Sequence, residues 1–153
     1  NFANGVAISD DESFLLVAET GSYRILKYWL AGDKTGQSEV LLDNLPGFPD
    51  NINSGNNGRF WIGFVAPRNA LLDQFSDRPF VRKIMQRFPA RFRPRAVAHS
   101  QVIAINGDGE VLMNLHDASA RFPALTGALE TRDSLYLSTL FGQYLPVVRK
   151  SDL

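Results

Sequence analysis

Phe2-Ala3-Asn4-Gly5-Val6 and Phe48-Pro49-Asp50-Asn51-Ile52 are two versions of one pattern set 46 residues apart, and the same offset lays Phe14-Leu15-Leu16-Val17 on Phe60-Trp61-Ile62-Gly63. Between them Asp11-Glu12 falls on Asn57-Gly58, a polar turn in both copies. Each copy therefore reads as strand, turn, apolar strand, the signature of a β-hairpin. A third copy lies 75 residues beyond the second, with Arg132-Asp133 in the turn and Leu135-Tyr136-Leu137 matching the run that begins at Phe60. The excess of 29 residues over the first period equals the length of residues 67–95, so an insertion displaces the third repeat.

The outer halves of the first two repeats correspond as well. Tyr28-Trp29-Leu30 leads through a glycine-containing turn to Glu39-Val40-Leu41, as Val102-Ile103-Ala104 leads through Asn106-Gly107-Asp108-Gly109 to Glu110-Val111-Leu112. A four-stranded meander of this size is a β-propeller blade. The expected fold is all-β: two complete blades and most of a third, which stops near Leu153 before its fourth strand. Strand spacing alone leaves a tandem sandwich as the alternative.

Composition sets the outer bounds. The 153 residues hold 16 basic and 16 acidic side chains, 44% hydrophobic residues and no cysteine, which suits one globular unit and excludes disulfides and thiolate metal sites. No window reaches the ~18 consecutive apolar residues of a membrane-spanning helix. The chain starts Asn1-Phe2 rather than at Met, so a longer parent is expected. The zero net charge hides an asymmetry: residues 78–95 carry seven basic and no acidic side chains, leaving nine basic against 16 acidic elsewhere. That is a local basic element, and nothing else in the chain points to nucleic acid.

Inside the insertion, Phe80, Val81, Ile84, Met85 and Phe88 form a helical stripe opposite Arg82, Lys83, Gln86 and Arg87. Asp77 is the expected N-cap, Pro79 sits in the first turn, and Pro89 ends the helix. A shorter helix is expected over residues 70–75. The stripe suits a lid packed on the blades. A basic amphipathic helix also suits an anionic membrane surface, met through Phe80, Arg82, Lys83, Ile84 and Arg87.

In a propeller the first strand of every blade lines the central channel, so equivalent polar positions converge. Asn4 and Asp50 are equivalent, and Asn51 follows directly. One carboxylate and two amide oxygens are hard ligands of the kind Ca²⁺ accepts. The same Asn-Gly and Asp-Asn pairs also form turns by bonding their own backbone.

Those stretches, together with Leu16-Val17-Ala18-Glu19-Thr20, Arg24 to Leu30, Leu45-Pro46-Gly47 and Gly58-Arg59-Phe60-Trp61-Ile62-Gly63, resemble the strictosidine synthase-like proteins. The insertion and Leu112-Met113-Asn114-Leu115-His116-Asp117 resemble their adipocyte plasma membrane-associated branch, which is more distantly similar to paraoxonases and gluconolactonases. The resemblance implies that residues 1–153 are the C-terminal half of a six-bladed propeller. It also implies that Asn4, Asp50 and Asn51 match the Asn-Gly and Asp-Asn motifs that bind a central Ca²⁺ in paraoxonase-like members. True synthases carry a catalytic glutamate on the first strand of the third repeat; in this sequence Thr126 stands at that position, and a hydroxyl cannot replace a carboxylate in proton exchange.

The resulting expectation is a calcium-dependent hydrolase of esters or lactones, whose small-molecule substrate has an apolar part. An amine–aldehyde condensing lyase is the first alternative, and a non-catalytic binding propeller at a membrane or partner surface is the second. His99 and His116 are expected to be structural, the catalytic base to come from outside this sequence, and Glu130 to face solvent at a turn. Glu19 and Arg24 are expected to pair across Gly21-Ser22. An open stack of blades leaves two inter-blade faces bare, so the piece on its own is expected to self-associate.

Overall fold

The computed structural model describes residues 2–68 and 99–153, and three β-sheets lie among them. The first sheet holds β1 (Ala3–Ile8), β2 (Phe14–Glu19), β3 (Arg24–Trp29) and β4 (Ser38–Leu42). The second holds β5 (Gly47–Ser54), β6 (Phe60–Pro67), β7 (Ser100–Ile105) and β8 (Val111–Asp117), and the third β9 (Leu125–Glu130), β10 (Ser134–Thr139) and β11 (Val147–Arg149). Each is an antiparallel meander in which sequence neighbours pair. Two meanders have four strands and the third has three, as the repeat requires. The sheets stack through their first strands, β1 against β5 and β5 against β9, which is blade-on-blade packing about an axis rather than a two-sheet sandwich.

Turn chemistry fixes the hairpins. At the β1–β2 turn Asp11 Oδ1 accepts from the Ser13 hydroxyl at 2.7 Å and its amide at 3.1 Å. These bonds hold the Asp11 carboxyl down at about 2. Asn57 takes a left-handed conformation (φ 59°) at the β5–β6 turn, a backbone state that asparagine tolerates. At the β7–β8 turn Asn106 Oδ1 accepts from the amides of Asp108 and Glu110 at 3.0 and 2.9 Å. Glu19 and Arg24 do form an ion pair across their turn.

The core is divided between the two blade junctions. Leu16, Ile25, Ile52, Ile62, Phe64 and Ile105 belong to the cluster between the first and second blades. Trp61, Val102, Leu125, Ala128, Leu135 and Leu137 fill the junction between the second and third. Alternation along β6 explains the split, since Phe60 and Ile62 point one way and Trp61 the other. Lys27 crosses the first junction: buried at 5% exposure, its ammonium donates to the Gly107 carbonyl at 2.9 Å and lies 4.0 Å from the centre of the Phe14 ring and 4.1 Å from that of Trp29.

Two glycines set how closely the blades approach. A Cβ on Gly5 would stand 2.4 Å from the Ile52 amide nitrogen, and one on Gly63 would stand 2.3 Å from the Thr126 carbonyl carbon. In both cases the obstacle is backbone, so the neighbouring strand must move as a whole. Gly63→Ala is expected to cost about 1–3 kcal/mol through this overpacking, read as a lowered urea midpoint with unchanged slope. A stability equal to that of the parent would show that the junction is looser than these contacts require.

The expected helices over residues 70–75 and 80–88, with the basic cluster from Arg78 to Arg95, lie outside the described residues. β6 ends at Pro67, where the insertion was expected to begin.

Candidate functional site

All three first strands break register at the same place. Pairing between β1 and β2 slips between Ala3 and Val6, that between β5 and β6 between Pro49 and Ile52, and that between β9 and β10 between Leu125 and Gly127. Each slip is a bulge, which re-aims a side chain out of the regular alternation. The residues at the bulges are Asn4-Gly5, Asp50-Asn51 and Thr126. Three sequence-derived positions thus share one structural feature at the innermost edge of their blades.

Asn4 and Asp50 are brought together, the Asn4 amide nitrogen donating to Asp50 Oδ1 from the neighbouring strand. Gly5 makes this possible, because its bare Cα lets β1 lie directly on the backbone of Asp50, Asn51 and Ile52. Asp50 is half-buried and forms no ion pair with any described residue. Desolvation pushes its pKa above the ordinary carboxylate value, partly offset by the hydrogen bond from Asn4. The site therefore holds a carboxylate without a counter-charge among the described residues.

Asn51 stands on the other side of β5. Its Cβ lies 3.1 Å from where a Cβ of Gly127 would be, and the Asn53 side-chain oxygen lies 2.8 Å from the same point. Both amides thus border the third blade, and Asn53 is a polar neighbour that motif reading did not select. Thr126 is buried at 8% exposure and donates its hydroxyl proton to Ser138 Oγ at 2.7 Å.

A cation test on donor chemistry gives a consistent answer. The Asp50 carboxylate and the amide oxygens of Asn4 and Asn51 are hard donors with one uncompensated negative charge, a chemistry that suits Ca²⁺ rather than a soft metal, although it is the Asn4 nitrogen that faces Asp50 here and Asn51 borders the third blade. Among the described residues no group of three His, Cys, Asp or Glu side chains could form a denser metal centre.

The histidines lie elsewhere. His99 precedes β7 and meets Gln101 Oε1 at 2.8 Å through Nε2; His116 sits within β8, with its ring 5.2 Å from that of His99. A Ser-His-Asp arrangement is not formed: the Ser100 hydroxyl donates to the Phe122 carbonyl, and Asp117 accepts from the Ser119 hydroxyl and from the amides of Ser119 and Arg121. His116, Asn114 and Phe122 instead rim a cavity of about 530 Å³ between the outer parts of the second and third blades.

Glu130 corrects the sequence reading. It does not face solvent: its carboxylate has no exposed surface, with Oε2 accepting from Trp61 Nε1 at 2.8 Å and the Asn56 amide at 3.0 Å. Oε1 lies 2.5 Å from Lys150 Nζ and 3.7 Å from Arg59 Nη1. Burial raises its pKa, but the bonds from Lys150, Trp61 and Asn56 and the charge of Arg59 outweigh it and hold the group below its ordinary value. Position in a hairpin turn suggested exposure; the partners come from a different blade and from the chain end.

A strictosidine synthase family profile matches residues 1–33, the stretch that contains β1 and the Asn4-Gly5 bulge. Bovine adipocyte plasma membrane-associated protein is 34% identical over 154 residues, covering 94% of this chain and 37% of the relative. The Arabidopsis thaliana protein strictosidine synthase-like 13 is 35% identical over 125 residues, covering 78% of this chain and 31% of its own length. The chain belongs to the strictosidine synthase-like family. It spans little more than a third of the curated relatives' length. A luciferin-regenerating enzyme shares the fold at TM-score 0.54 and 14% identity, over 90% of this chain and 37% of that one. A gluconolactonase from Xanthomonas campestris does so at TM-score 0.51 and 17% identity, over 90% and 34%. This strictosidine synthase-like chain is thus a portion of a propeller-type fold, and the sandwich alternative falls.

Proposed function

We propose that the strictosidine synthase-like protein carrying this chain is a calcium-dependent hydrolase of esters or lactones with an apolar part. The observation that carries the proposal is Asp50: a half-buried carboxylate at a bulge, touched by the Asn4 amide of the adjoining blade and lacking a described cationic partner. Such a group is costly unless it meets a positive charge. A calcium ion, when bound, supplies Lewis acidity toward a carbonyl oxygen. Asp50 and Asn4 would hold it from two blades, with Asn51 contributing from the next position along β5. The close approach at Gly5 sets the distance between the two strands that carry Asn4 and Asp50. The likeness to a gluconolactonase supports the fold on which such chemistry is arranged.

The condensing-lyase alternative has less support. At the third bulge the side chain is Thr126, whose hydroxyl is buried and bonded to Ser138, and the carboxylate of β9 is Glu130, held by Lys150 and Arg59. Neither is free to exchange a proton with a substrate amine. The binding-propeller alternative rests on the basic helix, outside the described residues.

Phenyl acetate and δ-valerolactone turnover by the full-length protein is the direct test. Chelation with EGTA is expected to reduce it more than about 100-fold, with recovery on adding Ca²⁺. Turnover indifferent to chelator would remove the metal from the reaction.

A further inference from the structure

The sequence holds two histidines and no cysteine, so its whole supply of imidazole and thiolate donors is His99 and His116. The second blade brings both to one place. Gln101 of β7 stands opposite His116 of β8, and Ile103 stands opposite Asn114. His99 lies two residues before Gln101, so alternation puts His99, Gln101, Asn114 and His116 on one face of the sheet. There the two imidazole rings meet, their centres 5.2 Å apart and their planes tilted by 40°.

A buried amide orients the first ring. Gln101, 7% exposed, donates from Nε2 to Asn114 Oδ1 at 2.9 Å. Its Oε1 is left to accept, and it lies 2.8 Å from His99 Nε2, which assigns the ring proton to that nitrogen. The free lone pair of His99 is then on Nδ1. A carbonyl oxygen that takes one ring proton and leaves the other nitrogen open is the outer support of a metal-ligating histidine.

Spacing agrees with this chemistry. Two imidazoles that share a tetrahedral Zn²⁺ at ~2.0–2.1 Å per bond hold their ring centres about 5 Å apart. No third ligand of the same kind joins them: Asp117 alternates to the other face of β8 and accepts from Ser119 and Arg121, and no group of three His, Cys, Asp or Glu side chains forms among the described residues. His116 is exposed and His99 half-buried, so water can reach the remaining coordination positions.

We propose that His99 and His116 form a zinc site, the ion held by His99 Nδ1 and one ring nitrogen of His116, with water completing the tetrahedron. It ties the chain just before β7 to the end of β8. Pro49, Phe64, Gln101 and His116 share one row across the second sheet, so the site lies at the same end of the blade as Asp50 but roughly 14 Å of sheet away from β5. Neutral imidazoles suit Zn²⁺, whereas Ca²⁺ takes oxygen, so the two sites select different ions and neither depends on the other.

Zinc uptake by the full-length protein, read by isothermal titration with Zn²⁺ alone, tests the pair. His99→Ala and His116→Ala are each expected to bind one zinc fewer than the parent, with an unchanged far-ultraviolet spectrum. His116→Gln, which keeps a polar side chain at an exposed strand position, is expected to show the same loss. Asp50→Asn is expected to retain this zinc, which separates the site from the calcium reading. Co²⁺ in place of Zn²⁺ is expected to give the intense visible absorption of a tetrahedral ion in the parent and in Asp50→Asn, and to lose it in the histidine variants. A parent that takes up no zinc, histidine variants that bind as much as the parent, or a Co²⁺ spectrum that the histidine changes leave unaltered would each overturn the assignment.

Discussion

Asp50→Asn is expected to abolish calcium binding and to lower lactone turnover more than about 100-fold, while the calcium-free protein at pH 7 melts at or above the parent temperature. The two halves have one cause. Desolvation raises the folded-state pKa of Asp50, so folding favours the protonated form and the ionised carboxylate works against the fold at pH values above that pKa. The asparagine amide removes the charge, keeps the shape, and retains an oxygen to accept from Asn4. Stability of the variant relative to the parent is therefore largest at neutral pH and disappears as acid neutralises Asp50 in the parent. Isothermal titration with Ca²⁺ reads the first half, and thermal melts in EGTA at pH 7 and pH 3 read the second. A variant that melts well below the parent at pH 7 would make Asp50 a structural carboxylate. One that binds calcium normally would remove it from the metal site.

How far the sequence reaches can be judged at particular residues. The repeat at Phe2–Val6 and Phe48–Ile52 located the blades because a strand, a turn and a second strand leave the same alternation wherever they recur. The three-stranded third sheet was legible for the same reason. The bulges were not: an extra residue in a strand leaves no periodic trace, so the shared bulge position of Asn4, Asp50 and Thr126 emerges only from strand pairing. Nor could motif reading separate Asp50, turned toward Asn4, from Asn51, which borders Gly127. Gly5 shows the opposite gain. An Asn-Gly pair can equally form a turn; Gly5 instead lies within β1, where the strand reading put it, and the lack of a side chain serves contact with the next blade, which the sequence does not show.

Glu130 is the residue whose sequence reading failed most completely, and it carries the largest expected stability effect. Its partners come from β6 (Trp61), the turn before it (Asn56 and Arg59) and the segment after β11 (Lys150), so no local pattern announces them. Replacing it with leucine would leave a buried indole N–H and the Asn56 amide unsatisfied and two cations without their shared carboxylate. Removing one member of such a buried pair costs about 3–5 kcal/mol. Arg59 and Lys150, at 21% and 28% exposure, can turn partly toward water, which favours the lower end. About 3 kcal/mol corresponds to a fall of roughly 6–12 °C in a chain of this size. Glu130→Gln separates charge from shape. The folded pKa of Glu130 is depressed, so its stabilisation is fully present above the ordinary value of 4.5 and is lost as pH falls through the folded value. The deficit of Glu130→Gln relative to the parent should therefore be large at pH 7 and shrink toward pH 3 in urea titrations. An equal deficit at both pH values would mean that the site is held by packing and neutral hydrogen bonds, with the ion pairs to Lys150 and Arg59 contributing nothing.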